Sequence, residues 1–324
     1  MEKKDLKIIF LGTPEFAVES LDKIVENEYN VVAVVTMPDK PAGRGHNLLQ
    51  SPVKQYALSK NIPVLQPVNL KDETFVEELR SYGADLFVVI AFRMLPEVVW
   101  QMPRLGTFNL HASLLPDYRG AAPINWAVIN GDTKTGVTTF FLKHEIDTGD
   151  IIDRASIEIN PEDNVGDVHD RLMSLGADLT LKTLGKIVDG TLETKPQSAF
   201  EDENQALRPA PKIFKETCHI DWTHSVVDVH NLVRGLSPYP AAWSVIDDDG
   251  PLAGRQVKIF ETQIDEASYD SFIPGRVTVI GKDKITVDCG DGRLLIKKLQ
   301  LQGKKAMPAD EFLRGAKLVN PRLV

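Results

Sequence analysis

"DLFVVIAF", residues 85–92, is the most apolar strand-like run in the chain, and the fold class turns on it. Its β-branched and aromatic residues read as a buried strand. Upstream, Asp72 stands at a helix N-cap position, and a helical period runs from it to about Tyr82. "IPVLQP" (62–67) is short and extended, and Ser51-Pro52 has the form of a cap followed by proline at the first helical position. "KIIFLG" (7–12) and "NVVAVVT" (30–36) are further strands, separated by a helical pattern with Phe16, Leu21, Ile24 and Val25 on one face. Short strands alternating with helices predict βαβ units and a parallel sheet, hence an α/β domain. "TGVTTFFL" (135–142) and "DIIDRASIEI" (150–159) add strands without a clear helical crossover, and residues 165–188 return to a helical period.

The pattern then changes. "LETKPQSAFEDENQALRPAPK" (192–212) is polar, punctuated by proline and weakly periodic, which is linker composition. "SVVDVHNLVRGL" (225–236) is helical. Short strands follow near 242–246, 256–264, 275–280, 284–289 and 293–301, divided by turns such as "DDDG" and "CGDG". Several short strands in so little chain predict a small β-barrel of the OB-like kind. The expected division is a catalytic domain over 1–191, a linker over 192–208 and a C-terminal domain over 209–324.

Composition narrows the setting. Of 324 residues, 43% are hydrophobic, enough for ordinary globular cores. The apolar run near the N-terminus stops after Leu11, short of a signal peptide's hydrophobic region, and nothing approaches the ~18 apolar residues of a membrane span. Cys218 and Cys289 alone make neither a disulfide framework nor a thiolate metal cluster. A soluble cytoplasmic protein is expected. The net charge of −9 is uneven: residues 1–208 carry −10, residues 209–324 carry +1, and the stretch 293–324 alone carries +6. That tail is either a solvated basic surface or the footprint of an anionic partner.

Chemistry is concentrated in "GTFNLHASLLPDYRGAAP" (106–123), where an apolar strand ends on two polar residues. Strand alternation points Asn109 and His111 the same way. They stand at the carboxyl end of an expected parallel strand, where open α/β sheets bind ligands. On these two residues alone, a ligand-facing pair and a pair serving the next loop's backbone are equally good readings. "HEIDTGD" (144–150) adds Asp147 in a tight turn. Asp and Gly favour turns whatever the function. A carboxylate beside an imidazole also fixes its tautomer and favours the cation, and an amide next to that cation gives two donors for an oxyanion.

No nucleophile is in evidence. Ser113 follows His111 closely, but the bend in "LLP" leaves their contact open, and no G-x-S-x-G elbow occurs. The attacking group therefore belongs to a substrate, which suggests acyl transfer to an amine. "FLGTPEF" has one glycine where a dinucleotide site has three, no Walker A sequence is present, and the seven histidines lack metal-ligand spacing. "PDKPAGRGHNLLQSP" (38–52), with Lys40 and Arg44, reads as a long loop, either a plain connector or a functional segment with Arg44 ready for phosphate.

Taken together, these residues closely resemble the methionyl-tRNA formyltransferases. "FNLHASLLPDYRGAAPI" and "DTGD" resemble the core shared by the wider formyltetrahydrofolate-dependent transferases. "FLGTPEFAVESL", "PDKPAGRGHNL", "PAPKI", "VRGLSPYPAAW" and "GKKAM" with "DEFLRG" resemble the tRNA-formylating branch, so the likeness covers nearly the whole chain. The resemblance implies a Rossmann-like, mostly parallel catalytic domain and an OB-like C-terminal domain that helps hold tRNA. It implies 10-formyltetrahydrofolate as cosubstrate and initiator methionyl-tRNA as acceptor; no metal is expected from the scattered histidines, and a monomer is the default.

It also implies roles. Asn109, His111 and Asp147 are the expected catalytic residues. Ser113, Leu114, Leu115 and Pro116 shape the folate site, although one of the two leucines is equally well plain core. Phe16, Lys40 and Arg44 approach the tRNA acceptor end, with Phe16 also readable as first-helix core, and Lys304 and Lys305 supply phosphate contacts. Two departures stand out. Phe92-Arg93 replaces a common Tyr-Gly pair beside the expected folate pocket, leaving Arg93 to touch the pterin or point outward. "HEID" replaces a common Gly-Leu-Asp arrangement.

Overall fold

The structure is a computed structural model describing residues 1–42, 47–202, 206–267 and 271–324. It forms two compact units. The first comprises Met1–Gly120, Thr135–Ile157 and His169–Pro209, and the second Ala121–Lys134, Glu158–Val168 and Ala210–Val324.

The chain begins with β1 (Lys7–Gly12), α1 (Glu15–Glu26), β2 (Asn30–Val35), the short strands β3 (Lys40–Ala42) and β4 (Asn47–Leu49), and α2 (Pro52–Ser59). It continues through β5 (Val64–Leu65), α3 (Glu73–Ser81), β6 (Leu86–Ile90), α4 (Glu97–Trp100), β7 (Thr107–His111) and β8 (Arg119–Gly120). Next come α5 (Pro123–Ile129), β9 (Lys134–Phe141), β10 (Ile151–Glu158) and α6 (Val165–Asp189). One sheet has the order β10-β9-β7-β6-β1-β2-β5. Strands β5, β2, β1, β6 and β7 run parallel, and β9 is antiparallel to β7. The mostly parallel sheet expected from the strand–helix alternation is therefore present. β6 is buried along its whole length between β1 and β7, as its apolar run requires.

Local chemistry starts the helices where the sequence marks them. Ser51 Oγ accepts from Lys54 N at 3.1 Å to cap α2, and Asp72 Oδ1 accepts from Phe75 N at 3.1 Å to cap α3. α1 buries Phe16, Ala17, Ser20, Leu21 and Ile24, a stripe at helical spacing.

One expectation is corrected. The stretch 38–52 is not a structureless loop, because β3 and β4 pair antiparallel, Lys40 opposite Leu49 and Ala42 opposite Asn47. Arms of three residues are too short for an alternating pattern to be legible. The base of this hairpin is tied by side chains. Lys54 Nζ meets Asp39 Oδ2 at 2.6 Å, and Gln66 Nε2 donates to Asp39 Oδ1 at 2.7 Å and to Met37 O at 2.9 Å. The hydrogen bond from Lys54, then that from Gln66, holds the Asp39 carboxyl below its ordinary value. A lowered folded-state value stabilises at pH above the unfolded value, and the contribution is lost as pH falls through the folded one. Protection of the hairpin base in hydrogen exchange should therefore fade below the ordinary value of 3.8. Asp39→Asn should remove that acid limb; an unchanged limb would place its origin elsewhere.

β11 (Pro209–Ala210) has one residue in each unit, and the second unit includes α7 (Val226–Leu236), β12 (Ala242–Asp247), β13 (Gln256–Ile264), β14 (Val277–Ile280), β15 (Lys284–Asp288) and β16 (Arg293–Leu301). It ends with β17 (Met307–Pro308), α8 (Ala309–Gly315) and β18 (Arg322–Leu323). Its sheet has the order β14-β15-β16-β13-β12-β18, with β17 added beside β16. Leu323 N donates to Gly275 O at 2.8 Å and Val277 N to Pro321 O at 3.2 Å, which brings the two ends of the sheet together. The result is the expected small barrel. Its interior is apolar, lined by Val257, Ile259, Ile285, Ile296 and Leu299, with Phe312 of α8 packed in. Asp288 is fully buried, and Arg276 and Arg293 each reach it at 2.6 Å, which offsets the cost of burying its carboxylate.

Candidate active site

β7 lies between β6 and β9, with Asn109 opposite Val89 on one side and Phe140 on the other. Its alternation buries Phe108 and Leu110 on one face and turns Asn109 and His111 to the other. Asn109 is half-buried, and its amide makes no side-chain hydrogen bond among the described residues. His111 is buried at the carboxyl end of the strand.

The loop after β7 orients the imidazole. His111 Nε2 lies 2.8 Å from Tyr118 O. A carbonyl only accepts, so Nε2 carries a hydrogen, and Nδ1 is the atom at which a proton is gained or lost. Nδ1 stands 4.0 Å from Asp147 Oδ2, beyond hydrogen-bond length but close enough for the carboxylate's charge to be felt. The same Oδ2 accepts from Gly120 N at 3.1 Å. Two backbone groups of one loop, Tyr118 O and Gly120 N, thus hold the two side chains facing each other.

Asp147 sits in a turn with φ of 55°, a left-handed conformation that Asp tolerates better than most residues. Gln197 holds the turn. Its Nε2 donates to Asp147 O at 2.7 Å and to Gly149 O at 2.9 Å, while its Oε1 accepts from Arg119 Nη2 at 2.6 Å. Gln197 carried no signal in the sequence, since it lies in the stretch of linker composition. Gly149 is fixed by close approach: a β-carbon there would stand 1.5 Å from Phe141 O.

The remaining residues divide clearly. Ser113 is fully buried, its Oγ donates to Asp117 O at 2.7 Å, and it is not a nucleophile turned toward His111. Leu115 packs with Phe140 and Ile151, its N donates to Thr138 Oγ1 at 3.1 Å, and its O accepts from Arg154 Nη1 at 2.8 Å. Leu114 is half-buried against the Cα of Gly136, and Pro116 is buried. Burial raises the Cys218 thiol and pushes Cys289 up to about 12, so neither is a reactive thiolate. No group of residues suited to a metal ion occurs among the described residues.

Of the residues expected to meet tRNA, Phe16 is 7% exposed and packs edge-on against His169, with ring centroids 5.2 Å apart. That position leaves little ring for stacking on a base, and it agrees with the reading of Phe16 as core. Lys40 is exposed on β3, Lys304 and Lys305 are exposed between β16 and β17, and Arg44 lies outside the described residues. Arg93 does not point outward. Its Nη1 donates to Val68 O at 2.8 Å, and its Nη2 donates to Pro67 O.

Comparison with known proteins covers nearly the whole chain. The family model for formyl transferase matches residues 6–184, and that for the formyl transferase C-terminal domain matches residues 212–317. A methionyl-tRNA formyltransferase of Bacteroides fragilis is 57% identical over 316 residues, covering 97% of this chain and 96% of the relative. One from Phocaeicola vulgatus is 58% identical over 318 residues, covering 97% of each. Among solved structures, HypX from Aquifex aeolicus in complex with tetrahydrofolic acid superposes with a TM-score of 0.63 at 19% identity. That match spans 96% of this chain and 48% of HypX, and at that identity it speaks for the fold.

Proposed function

The chain belongs to the formyl transferase family, and from that premise we propose that it formylates the α-amino group of methionine carried by initiator tRNA, with 10-formyltetrahydrofolate as donor. The observation that carries this reading is likeness above half identity, over nearly the full length, to proteins named for that reaction. The site supports it. Asn109 offers a free amide, His111 has one nitrogen fixed and one available, and Asp147 faces the available one.

The donor supplies a formyl carbonyl on an arylamine leaving group. The methionyl amine must attack in its neutral form, and free α-amines titrate near ~7.7–8.0, lowered further by esterification. As the nitrogen–carbon bond forms, the carbonyl's π pair becomes an oxyanion. The Asn109 amide and a proton on His111 Nδ1 stabilise that charge. Asp147 takes the proton lost by the attacking nitrogen, and a proton returns to the leaving nitrogen as its bond to carbon breaks. Protons balance, and no covalent enzyme intermediate is needed. Ser113 to Pro116 act on the donor by fixing the loop, since three of the four are buried in it.

The acceptor is held by basic residues: Lys40 on β3, Arg44 of the segment that follows it in the sequence, and Lys304 and Lys305 in the second unit. Phe16 contributes by seating α1. Arg44→Ala and Lys40→Ala should each raise KM for tRNA, spare donor binding, and lower the salt slope by about 1 for each phosphate no longer neutralised. Unchanged tRNA kinetics would reduce the hairpin to a connector. The functional division we assign is 1–191, 192–208 and 209–324, in keeping with the two matched spans. The tRNA acceptor of this reading is a cytoplasmic molecule, and we assign the protein there, as a monomer; separately, no described helix is long and apolar enough to cross a membrane. The deciding assay supplies the donor with charged initiator tRNA or with free sugar amines. Formylated methionyl-tRNA is expected; formylation of the sugar amine alone would replace this reading.

A further inference from the structure

Ile90, the last residue of β6, is in register with Leu110, so the chain from Ala91 onward continues beside His111. Ala91 has φ of 48°, a left-handed conformation unfavourable for a residue with a β-carbon. The bend is therefore held by something beyond local preference. Arg93 supplies the hold through its bonds to Val68 O and Pro67 O. Those carbonyls follow β5, which is separated from β6 in the sheet by β1 and β2. A guanidinium presents its donors in a rigid fork, so one side chain can tie two neighbouring carbonyls and join two loops across the carboxyl edge of the sheet.

Two further observations mark the clamp as more than packing. Arg93 Nε is buried with no hydrogen-bond partner among the described residues, so the guanidinium is committed to the two carbonyls at the cost of its third donor position. Large apolar side chains are exposed on both of the loops it joins, Val68 at 82% and Met94 at 69%. Exposed apolar surface beside a catalytic edge suits the face of a flat heteroaromatic ring. The strap also runs on into Gln66, which belongs to the Asp39–Lys54 network at the hairpin base.

We propose that Arg93 is a positioning residue for the formyl donor: by holding residues 91–95 to the 67–68 strap, it sets the apolar wall beside His111 against which the donor's ring system lies. The proposal rests on the reading of the protein as a folate-dependent formyl transferase. Its test uses the full-length protein with 5-formyltetrahydrofolate as a stable probe. Arg93→Met keeps the stem and removes the fork; Arg93→Lys keeps a charge that reaches one carbonyl at a time.

Probe affinity should fall about tenfold in Arg93→Met and less in Arg93→Lys, with KM for the donor following and KM for tRNA unchanged. Equal affinity in wild type and Arg93→Met, or KM values for both substrates rising together, would overturn the proposal. Should Arg93→Met fail to fold, hydrogen exchange on the wild type decides. The probe should slow residues 91–95 and 66–70 together, and slowing confined to either segment speaks against the clamp. Absence of any folate binding by the wild type would reject the functional reading itself, an outcome distinct from a wild type and variant that bind alike.

Discussion

Asn109→Ala should lower kcat by about 10²–10³ while KM for either substrate and the melting temperature barely change. The amide has no partner within the described protein, so its loss strands no buried group and opens little space. Its contribution appears only when charge develops on the formyl oxygen, and an interaction made only in the transition state is lost from kcat. His111→Ala should cost at least as much turnover, but it also removes a donor from Tyr118 O and should lower stability. Asn109 is therefore the cleaner probe. Steady-state kinetics with both substrates, beside a thermal melt, makes the distinction. Near-normal turnover in both variants would remove the oxyanion role of this face of β7.

Gly149→Ala should be almost as damaging from outside the reacting groups. With a β-carbon 1.5 Å from Phe141 O, the turn cannot stay where it is. Its displacement draws Asp147 away from Gly120 N and breaks the two bonds from Gln197. Misplacing a catalytic group by about 1 Å can cost 10²-fold, and forcing atoms into a packed site costs about 1–3 kcal/mol. The expected result is turnover reduced by about 10² with a lowered melting temperature. Asp147→Asn, which keeps the turn, should lose activity with little loss of stability. If Gly149→Ala retained full activity, the turn would have to relax without moving the carboxylate, and the role given to its rigidity would be lost.

Much of this was written in the sequence, for identifiable reasons. Strand runs such as 7–12, 30–36 and 85–92 are apolar because both faces of a parallel sheet are covered, so composition alone exposes them. Ser51 and Asp72 announce their helices because a cap needs a particular side chain at a particular place. Asn109 and His111 share a face because strand alternation is exact. What stayed hidden has no letter of its own. Tyr118 O and Gly120 N orient the site through backbone atoms, which no side-chain letter announces. Gln197 lies in a stretch whose composition suggests a linker, and its importance arises only from what folds against it. The short β18 and the helix α8 carry too few residues for any period to register.

The two compact units do not correspond to one cut in the chain: residues 121–134 and 158–168 are grouped with residues 210–324. Helix α5, with Ile124, Ala127 and Val128 buried, falls in the first of these excursions, and its Asn125 Nδ2 bonds Gly235 O at 2.9 Å. An experimenter who grafts the barrel of a relative onto this catalytic half must therefore exchange three separate pieces of gene. A simple fusion near residue 208 would leave a helix facing a foreign surface, and insoluble chimaeras would then say nothing about whether the two activities are compatible.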